Sequence, residues 1–451
     1  MIMNYSQACA YINSFINYEH VHKQDFPRTF NLKRMEKLLS LLGNPHKKLK
    51  IVHVAGTKGK GSTAAMLAHI LHESGYKTGL YTSPHINNFR ERIRILNTNN
   101  VNNEDLFSDM LSEESFVQCI TEMKPAIYEM CKQDDLGVLS FFEIFTAVAF
   151  YYFYKSKTDC VVVETGLGGR LDATNVADSL VAVLTHIDLE HTHVLGETLA
   201  EIAQEKVAIV KTSEQSVVVA PQESEALDVI KKHCTQMQCE PIYIKESDIS
   251  DGVAQGLKYQ EFEYEGEMQS IPLLGKYQVC NAITACSVVK VLNSKGFSIS
   301  KEAINKGLAA VQWPIRFEVV QVNPTIILDA AHTVSSARSL VKVLKELFPT
   351  NNIKLIAGFS EDKNVQGICE HLKMLGQDVI LTQADHLKSR EISEEEADVL
   401  FKGKCVTFTK TVKDAIDSGL NNLKNDDVLI ITGSVFVAAQ ARGLLCTNTK
   451  V

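Results

Sequence analysis

Apolar positions along the chain repeat in two registers, helical and extended, and the two take turns. Residues 4–42 carry helical periodicity at Tyr11, Ile12, Phe15 and Ile16, then at Leu32, Met35, Leu38, Leu39 and Leu42, until Gly43-Asn44-Pro45 stops it. Ile51–Ala55 is an apolar run that reads as a buried strand. Ser62–Ser74 reads as a helix closed by Gly75, and Lys77–Thr82 as the next strand, a right-handed βαβ unit. Residues 104–133 read as an acidic helix and Leu139–Tyr154 as a largely buried one. Apolar runs at Cys160–Glu164, Leu180–Thr185, Val217–Ala220 and Ile242–Ile244 add strands, with helices between several of them. This is a doubly wound α/β pattern.

Residues 258–273 change character, and alternation about Glu265-Gly266 predicts a hairpin. Helices follow from about Tyr277 to Ser294 and from Lys301 to Ala310. Trp313-Pro314 marks the expected junction between a first domain, 1–312, and a smaller second domain, 313–451. Strands at Thr325–Asp329, Ile353–Gly358, Asp378–Thr382, Val406–Thr409 and Val428–Thr432 predict a Rossmann-like α/β unit there, with a mostly parallel sheet.

Composition narrows the class. At 451 residues, with 45% hydrophobic and 22% charged residues, the chain is an ordinary globular one with room for two or three cores. A net charge of −8 without a long basic block argues against nucleic acid or an anionic membrane as partner. Eleven cysteines lack paired metal-type spacing and fit reduced thiols in a cytoplasm. The start lacks the pattern of a signal peptide, and the most apolar stretch, Phe141–Tyr154, is too short to span a bilayer.

Chemistry concentrates at predicted strand ends. Gly56-Thr57-Lys58-Gly59-Lys60-Gly61-Ser62 stands between strand and helix, the context of a phosphate loop. Its glycines let backbone N–H groups converge on a phosphate, Lys60 supplies a point charge, and Ser62 can face Mg²⁺ or phosphate. The spacing is shorter than G-x-x-x-x-G-K-[ST], and it does not give the G-x-G-x-x-G of a hydride-transfer enzyme. A tight glycine turn is the plainer alternative. Glu164 ends a hydrophobic strand before Gly166, Gly168 and Gly169, a place and chemistry suited to a Mg²⁺ ligand. Ser83 and His85 follow the second strand, and His186, Asp188, His191 and His193 follow another; spacing does not choose between ligands and solvated loops. Lys206 reads most simply as a surface partner of Glu205, Arg316 as a solvated charge and Asp329 as a helix cap.

Together, AGTKGKGS, TSPHINNFRERI, ETGLGGRLDATN, DLEHTHVLGETLAEIAQEK, WPIRFE, DAAH and ITGS resemble the folylpolyglutamate synthase/dihydrofolate synthase family of Mur-type ligases, in order from about residue 5 to 443. The resemblance implies ATP-dependent amide formation: a carboxylate takes the γ-phosphate, and the amine of L-glutamate displaces it from the acyl phosphate. It implies that Gly56–Ser62 hold the triphosphate and that Ser83, Glu164 and His191 match Mg²⁺ positions, two ions being expected. Lys206 matches a lysine that is carbamylated in the family, which replaces its surface reading; with Lys60 and His191 it makes the expected catalytic set. Asn281, Arg316, Asp329 and His332 match further ATP contacts. The expected partners are small molecules alone (a folate or dihydropteroate, and L-glutamate), bound by a monomer. Rivals are a paralogous ligase for another carboxylic acid and a nucleotide-binding module without catalysis.

Several positions depart from the pattern. The family usually has Gly where this chain has Ala208, Ile315 and Ala330, Asn at Thr333 and His at Tyr277; Asp is common at Asn364 and Asn at Lys58. Ile315 and Ala330 put a Cβ beside the expected ATP contacts. Either the backbone there is not in a glycine-only conformation, or the second domain holds nucleotide differently.

Overall fold

A computed structural model describes residues 3–18, 31–96, 106–132 and 136–446. The chain divides into two units: residues up to Ser250 with Tyr264–Gln269 and Gln278–Val311, and Asp251–Glu263 with Ser270–Tyr277 and everything from Gln312. Residues 251–263 and 270–277, read from sequence as part of the first domain, thus group with the second.

The first unit is built on β1 (Ile51–Ala55), β2 (Thr78–Tyr81), β3 (Ile93–Ile95), β4 (Cys160–Glu164), β5 (Val181–Leu184), β6 (Ser216–Val219) and β7 (Pro241–Tyr243). Their order in the sheet is β3-β2-β4-β1-β5-β6-β7, and every pair is parallel except β2 with β3. β1 and β2, read from sequence as the strands of one βαβ unit, are parallel but have β4 inserted between them. β1 and β4 are buried at every position, which suits central strands covered on both faces. Sequence spacing carries no information about strand order, so the insertion was not readable. β3 is a short antiparallel edge. Residues 107–111 extend it, with Leu111 N–H donating to Ile93 and Ile95 N–H to Asp109. That pairing is why the acidic helix runs only over Glu113–Met130 rather than 104–133; residues 104, 105 and 133 lie outside the described residues. The N-terminal periodicity resolves into separate helices, Tyr5–Asn13 and Leu32–Leu41, with residues 19–30 outside the description.

The helix Phe141–Lys155 starts at a Ser140/Glu143 capping box and is apolar on most sides; its phenylalanines pack in one core with the helix Glu113–Met130 and with Ile51, Tyr81 and Val161. A second core lies over β5 and β6, where Ile202, Ala203 and Val207 from the helix Leu199–Val207 meet Ala182, Leu184 and Val217.

A small sheet of β8 (Val253–Gln255), β9 (Tyr259–Tyr264) and β10 (Glu267–Ile271) follows, in the order β10-β9-β8. Glu265 and Gly266 both take positive φ (54° and 76°), the twist a two-residue hairpin turn requires.

The second unit's sheet joins β11 (Glu318–Val322), β12 (Thr325–Leu328), β13 (Ile353–Ala357), β15 (Asp378–Leu381), β17 (Cys405–Phe408) and β18 (Val428–Thr432), with a two-strand ladder of β14 (Phe359–Ser360) and β16 (Ser389–Arg390) beside it. The order is β11-β12-β18-β13-β15-β17, parallel except for the β11–β12 pair. β18, buried at every position and apolar up to Thr432, is central. No helix among the described residues is long and apolar enough to cross a membrane.

Candidate active site

Four adjacent parallel strands of the first sheet, β2-β4-β1-β5, end side by side, and each hands over a segment flagged in the sequence: Ser83 after β2, Glu164 at the end of β4, Gly56–Ser62 after β1 and His186–His191 after β5. The carboxyl edge of a parallel sheet is where α/β proteins collect ligand groups, because helices cover the faces and only loops occupy the edge.

The helix after β1 starts at Lys60, two residues earlier than its periodicity suggests, behind Gly59 in the left-handed region (φ 87°). Its first N–H groups therefore lie within the phosphate-loop sequence, with the positive end of the helix dipole. Gly56 and Gly59 are required by close approach. A Cβ on Gly56 would lie 1.9 Å from Thr185 Oγ1, and one on Gly59 2.2 Å from Asn281 Oδ1. Asn281, some 220 positions away in sequence, thus lies against the loop, oriented by a bond from its Nδ2 to Gln278.

Lys60 Nζ lies 3.9 Å from Glu164 Oε1, and Ser83 N–H donates to Glu164 Oε2 at 3.1 Å. Glu164 is buried, so it is no solvated strand-end residue. Lys206, whose bare sequence reading was an exposed partner of Glu205, is 4% exposed and donates from Nζ to the Gly56 carbonyl at 2.8 Å. Glu205 pairs with Arg170 instead. Burial, with Lys60 nearby, pulls the Lys206 ammonium down to about 7, although Glu190 opposes the shift. Near neutral pH much of it is a free amine.

The turn that clamps Lys206 from outside was not anticipated. In Gly166–Asn175, Asp172 accepts from the N–H groups of Leu167 and Thr174 and from the Thr174 hydroxyl. Thr174 has spent its one proton on Asp172, so it accepts from Nε2–H of the buried His53, which burial keeps neutral with a pKa of about 3. The loop so fixed presses on the helix that carries Lys206: Arg170 N–H donates to the Glu205 carbonyl, Asn175 Nδ2 to that of Ala208, and a Cβ on Gly169 would meet Glu205 O at 2.6 Å. The D-x-T spacing of Asp172 and Thr174 was the available signal, an Asx-type cap.

His191 takes a left-handed backbone (φ 52°), stands before the short helix Thr192–Leu195, and has Nε2 3.9 Å from Glu190 Oε1. His186 serves through its carbonyl, which accepts from Thr57 and Lys58 N–H. Among the described residues no three His, Cys, Asp or Glu side chains gather closely enough to hold a metal by themselves. The donor set suits Mg²⁺, which takes few carboxylates and completes its shell with water and phosphate.

In the second unit Asp329 follows β12 and is buried. Its carboxylate accepts from Phe317 and Ala331 N–H, both at 2.8 Å, and burial raises it to about 6 against the pull of Arg316. Tyr277 is close enough for the Asp329 and Arg316 charges to act on its phenol, which burial pushes up. His332 shares Nδ1 with the Ala330 carbonyl.

The substituted family positions now have local explanations. Ala208 caps its helix in αR geometry, and Ala330 is not at positive φ, so neither position needs glycine. Thr333 and Asn364 are N-caps, accepting from Ser336 and Gly367 N–H, a position to which Asn and Asp are equally suited. Ile315 is different: at φ 53° it holds a glycine-type conformation with a buried β-branched side chain, and Phe317 follows at φ 52°.

The family model for the Mur ligase middle domain matches residues 143–289, and that for the Mur ligase glutamate ligase domain matches 315–435. The dihydrofolate synthase/folylpolyglutamate synthase of Bacillus subtilis is 32% identical, over 91% of this chain and 94% of its own. The chain belongs to the folylpolyglutamate synthase/dihydrofolate synthase family. It is a ligase of the ATP-dependent, ADP-forming kind found in that family. The folylpolyglutamate synthase of Lacticaseibacillus casei is 31% identical over 98% of this chain and 99% of its own. A probable bifunctional folylpolyglutamate synthase/dihydropteroate synthase of Haloferax volcanii is 34% identical over 92% of this chain, which spans about half (48%) of that longer relative. Among solved structures, Mycobacterium tuberculosis folylpolyglutamate synthase complexed with ADP and AMPPCP has a TM-score of 0.82 at 29% identity, over 92% of this chain and 95% of that one. Escherichia coli FolC in complex with DHPP and ADP has a TM-score of 0.82 at 26% identity, over 99% and 98%.

Proposed function

We propose that this ligase uses ATP and Mg²⁺ to join L-glutamate to the carboxylate of dihydropteroate, of a folate, or of both, by way of an acyl phosphate. The observation that carries the reading is the Lys206 amine, buried against the Gly56 carbonyl at the base of the phosphate loop and beside the Lys60–Glu164 pair. A carboxylate oxygen is a poor leaving group. Transfer of the γ-phosphoryl to it makes the displaced group phosphate, and what the protein must supply is alignment and positive charge.

Lys60 and the N–H groups at the start of the Lys60–Glu73 helix would hold the triphosphate, with Thr57 and Asn281 beside them and the Lys58 side chain turned aside to Glu190. Arg316, Asp329 and His332 are proposed as further nucleotide contacts on the strength of the family resemblance. Ser83, Glu164, His191 and Lys206 would hold two Mg²⁺ ions, which neutralise phosphoryl oxygens when bound. For Lys206 to serve, it must be anionic. Its neutral amine would attack CO₂, forming an N–C bond and releasing one proton, and leave a carbamate. The fit is electrostatic: two lysines against one carboxylate make an unfavourable cation site, and a carbamate at Lys206 reverses that balance.

The test is ADP release with Mg-ATP and L-glutamate, comparing dihydropteroate, tetrahydrofolate and no acceptor. Release with one acceptor assigns that activity, and release with both makes the enzyme bifunctional. Protein that binds ATP but releases ADP with neither would sink the folate reading.

A further inference from the structure

The phosphate loop and the segment carrying His191 are fastened to each other along their length. Thr57 and Lys58 N–H both donate to the His186 carbonyl, at 2.9 and 3.0 Å, and the Thr57 hydroxyl donates to the Asp188 carbonyl at 3.1 Å. The last link is an ion pair, Lys58 Nζ to Glu190 Oε2 at 2.9 Å, with the two side chains only 24% and 11% exposed. Glu190 Oε1 faces His191 Nε2, and the left-handed turn at His191 comes immediately after. A lysine in a phosphate loop is usually taken to face phosphate. Here Lys58 is engaged sideways, by a carboxylate one residue from a proposed metal ligand.

We propose that Lys58 is a positioning residue: through Glu190 it holds the His191 segment in register with the phosphate loop. This rests on the ATP–Mg²⁺ reading above. A half-buried carboxylate needs its counter-ion, since removing one partner of such a pair leaves the other uncompensated. Without Lys58, Glu190 loses the cation paired with it here, and the Lys58 side chain no longer ties the His191 segment to the loop beside the links at His186 and Asp188. With the pair in place, both sides of the metal site stand ready before nucleotide arrives.

The experiment uses the full chain with Lys58→Ala, Glu190→Gln, the double variant and Lys58→Arg. ATP binding is measured by calorimetry with and without Mg²⁺, thermal unfolding is followed in parallel, and the Mg²⁺ requirement of turnover is titrated. Loss of a group that orients a metal ligand commonly costs about 10- to 100-fold in metal affinity. Each single variant should therefore need at least about tenfold more Mg²⁺ for tight ATP binding. The double variant should be no worse than either single one, because they remove the same link. Lys58→Arg should keep the wild-type requirement. The proposal is overturned if the double variant, which removes one charge of each sign, recovers the wild-type requirement, for then only net charge matters. It is equally overturned if the singles add, if the requirement is unmoved, or if Lys58→Ala weakens metal-free ATP binding while Glu190→Gln leaves Mg²⁺ dependence intact, the pattern of a direct phosphate contact. Wild-type protein that binds Mg-ATP yet ligates no folate would end the folate reading and leave this test in force.

Discussion

Ile315 is the position where this chain most openly contradicts a local rule, and the contradiction can be weighed. At φ 53° its Cβ is crowded against the following carbonyl, a conformation that costs an L-residue roughly 1–2 kcal/mol. What holds it there is packing and hydrogen bonding: Ile315 is 2% exposed, its N–H donates to Glu318, its carbonyl accepts from Ala330, and the next strained residue, Phe317, is tied to Asp329. Replacing Ile315 by Gly would relieve the strain, yet stability should still fall, because truncating a buried Ile costs about 2–5 kcal/mol. The strain is isolated by a second step. Going from Ala to Gly at an ordinary buried position removes a methyl and frees the unfolded chain, both destabilising. At Ile327, a buried residue of the extended strand β12, that step should show its full cost. At Ile315 the same step should cost less by about 1–2 kcal/mol, and can reverse sign. Urea unfolding of Ile315→Ala, Ile315→Gly, Ile327→Ala and Ile327→Gly gives the difference of differences. The single tryptophan, Trp313, lies two residues from the site and reports on this unit by fluorescence. An Ala-to-Gly step of equal cost at both positions would refute the strain.

Other expectations follow from named contacts. Lys206→Ala should abolish turnover while leaving the protein folded, with partial recovery in a short carboxylic acid; full activity in the variant would remove Lys206 from the site. The carbamate requires a neutral amine, so below pH of about 7 activity should fall and bicarbonate should raise it, with carbon-13 NMR on labelled bicarbonate detecting the adduct. As a free amine, Lys206 makes stability rise with pH between about 7 and its ordinary value of 10.5, since only the unfolded chain holds the proton there. Gly169→Ala would press a methyl on the Glu205 carbonyl and should cost about 1–3 kcal/mol by thermal unfolding, together with most of the activity; an unchanged Mg²⁺ requirement would show that the clamp does not set Lys206. Asp329 is raised to about 6, so the fold holds its proton more tightly and the residue makes stability fall as pH rises from about 4 to 6. Asp329→Asn should remove that slope and, by giving up one of two carboxylate acceptors, cost about 1–3 kcal/mol.

Much of this protein was legible without coordinates. Buried parallel strands such as Ile51–Ala55, Cys160–Glu164 and Val428–Thr432 appear in the sequence with their structural limits, because a strand covered on both faces is apolar at most of its positions. Strand ends were legible for the same reason, since polarity resumes where burial stops, and so were Glu164 and the Gly56–Ser62 loop. The short edge strands β3, β8 and β11 were not: they are half exposed or brief, and their pairing depends on partners elsewhere. Sequence could not place β4 between β1 and β2, because order in a sheet is settled by how helices and loops pack over it. Nor could composition tell Lys206 from a surface lysine. Its neighbours Glu205 and Val207 look the same either way, and the lowered ammonium comes from burial and from Lys60, a residue far off in the chain. The chain alone determined which residues could do chemistry, because that is a property of side-chain type and strand limits. The tertiary structure decided what those residues are, neutral or charged, strained or relaxed, because charge state and strain depend on what the fold brings near.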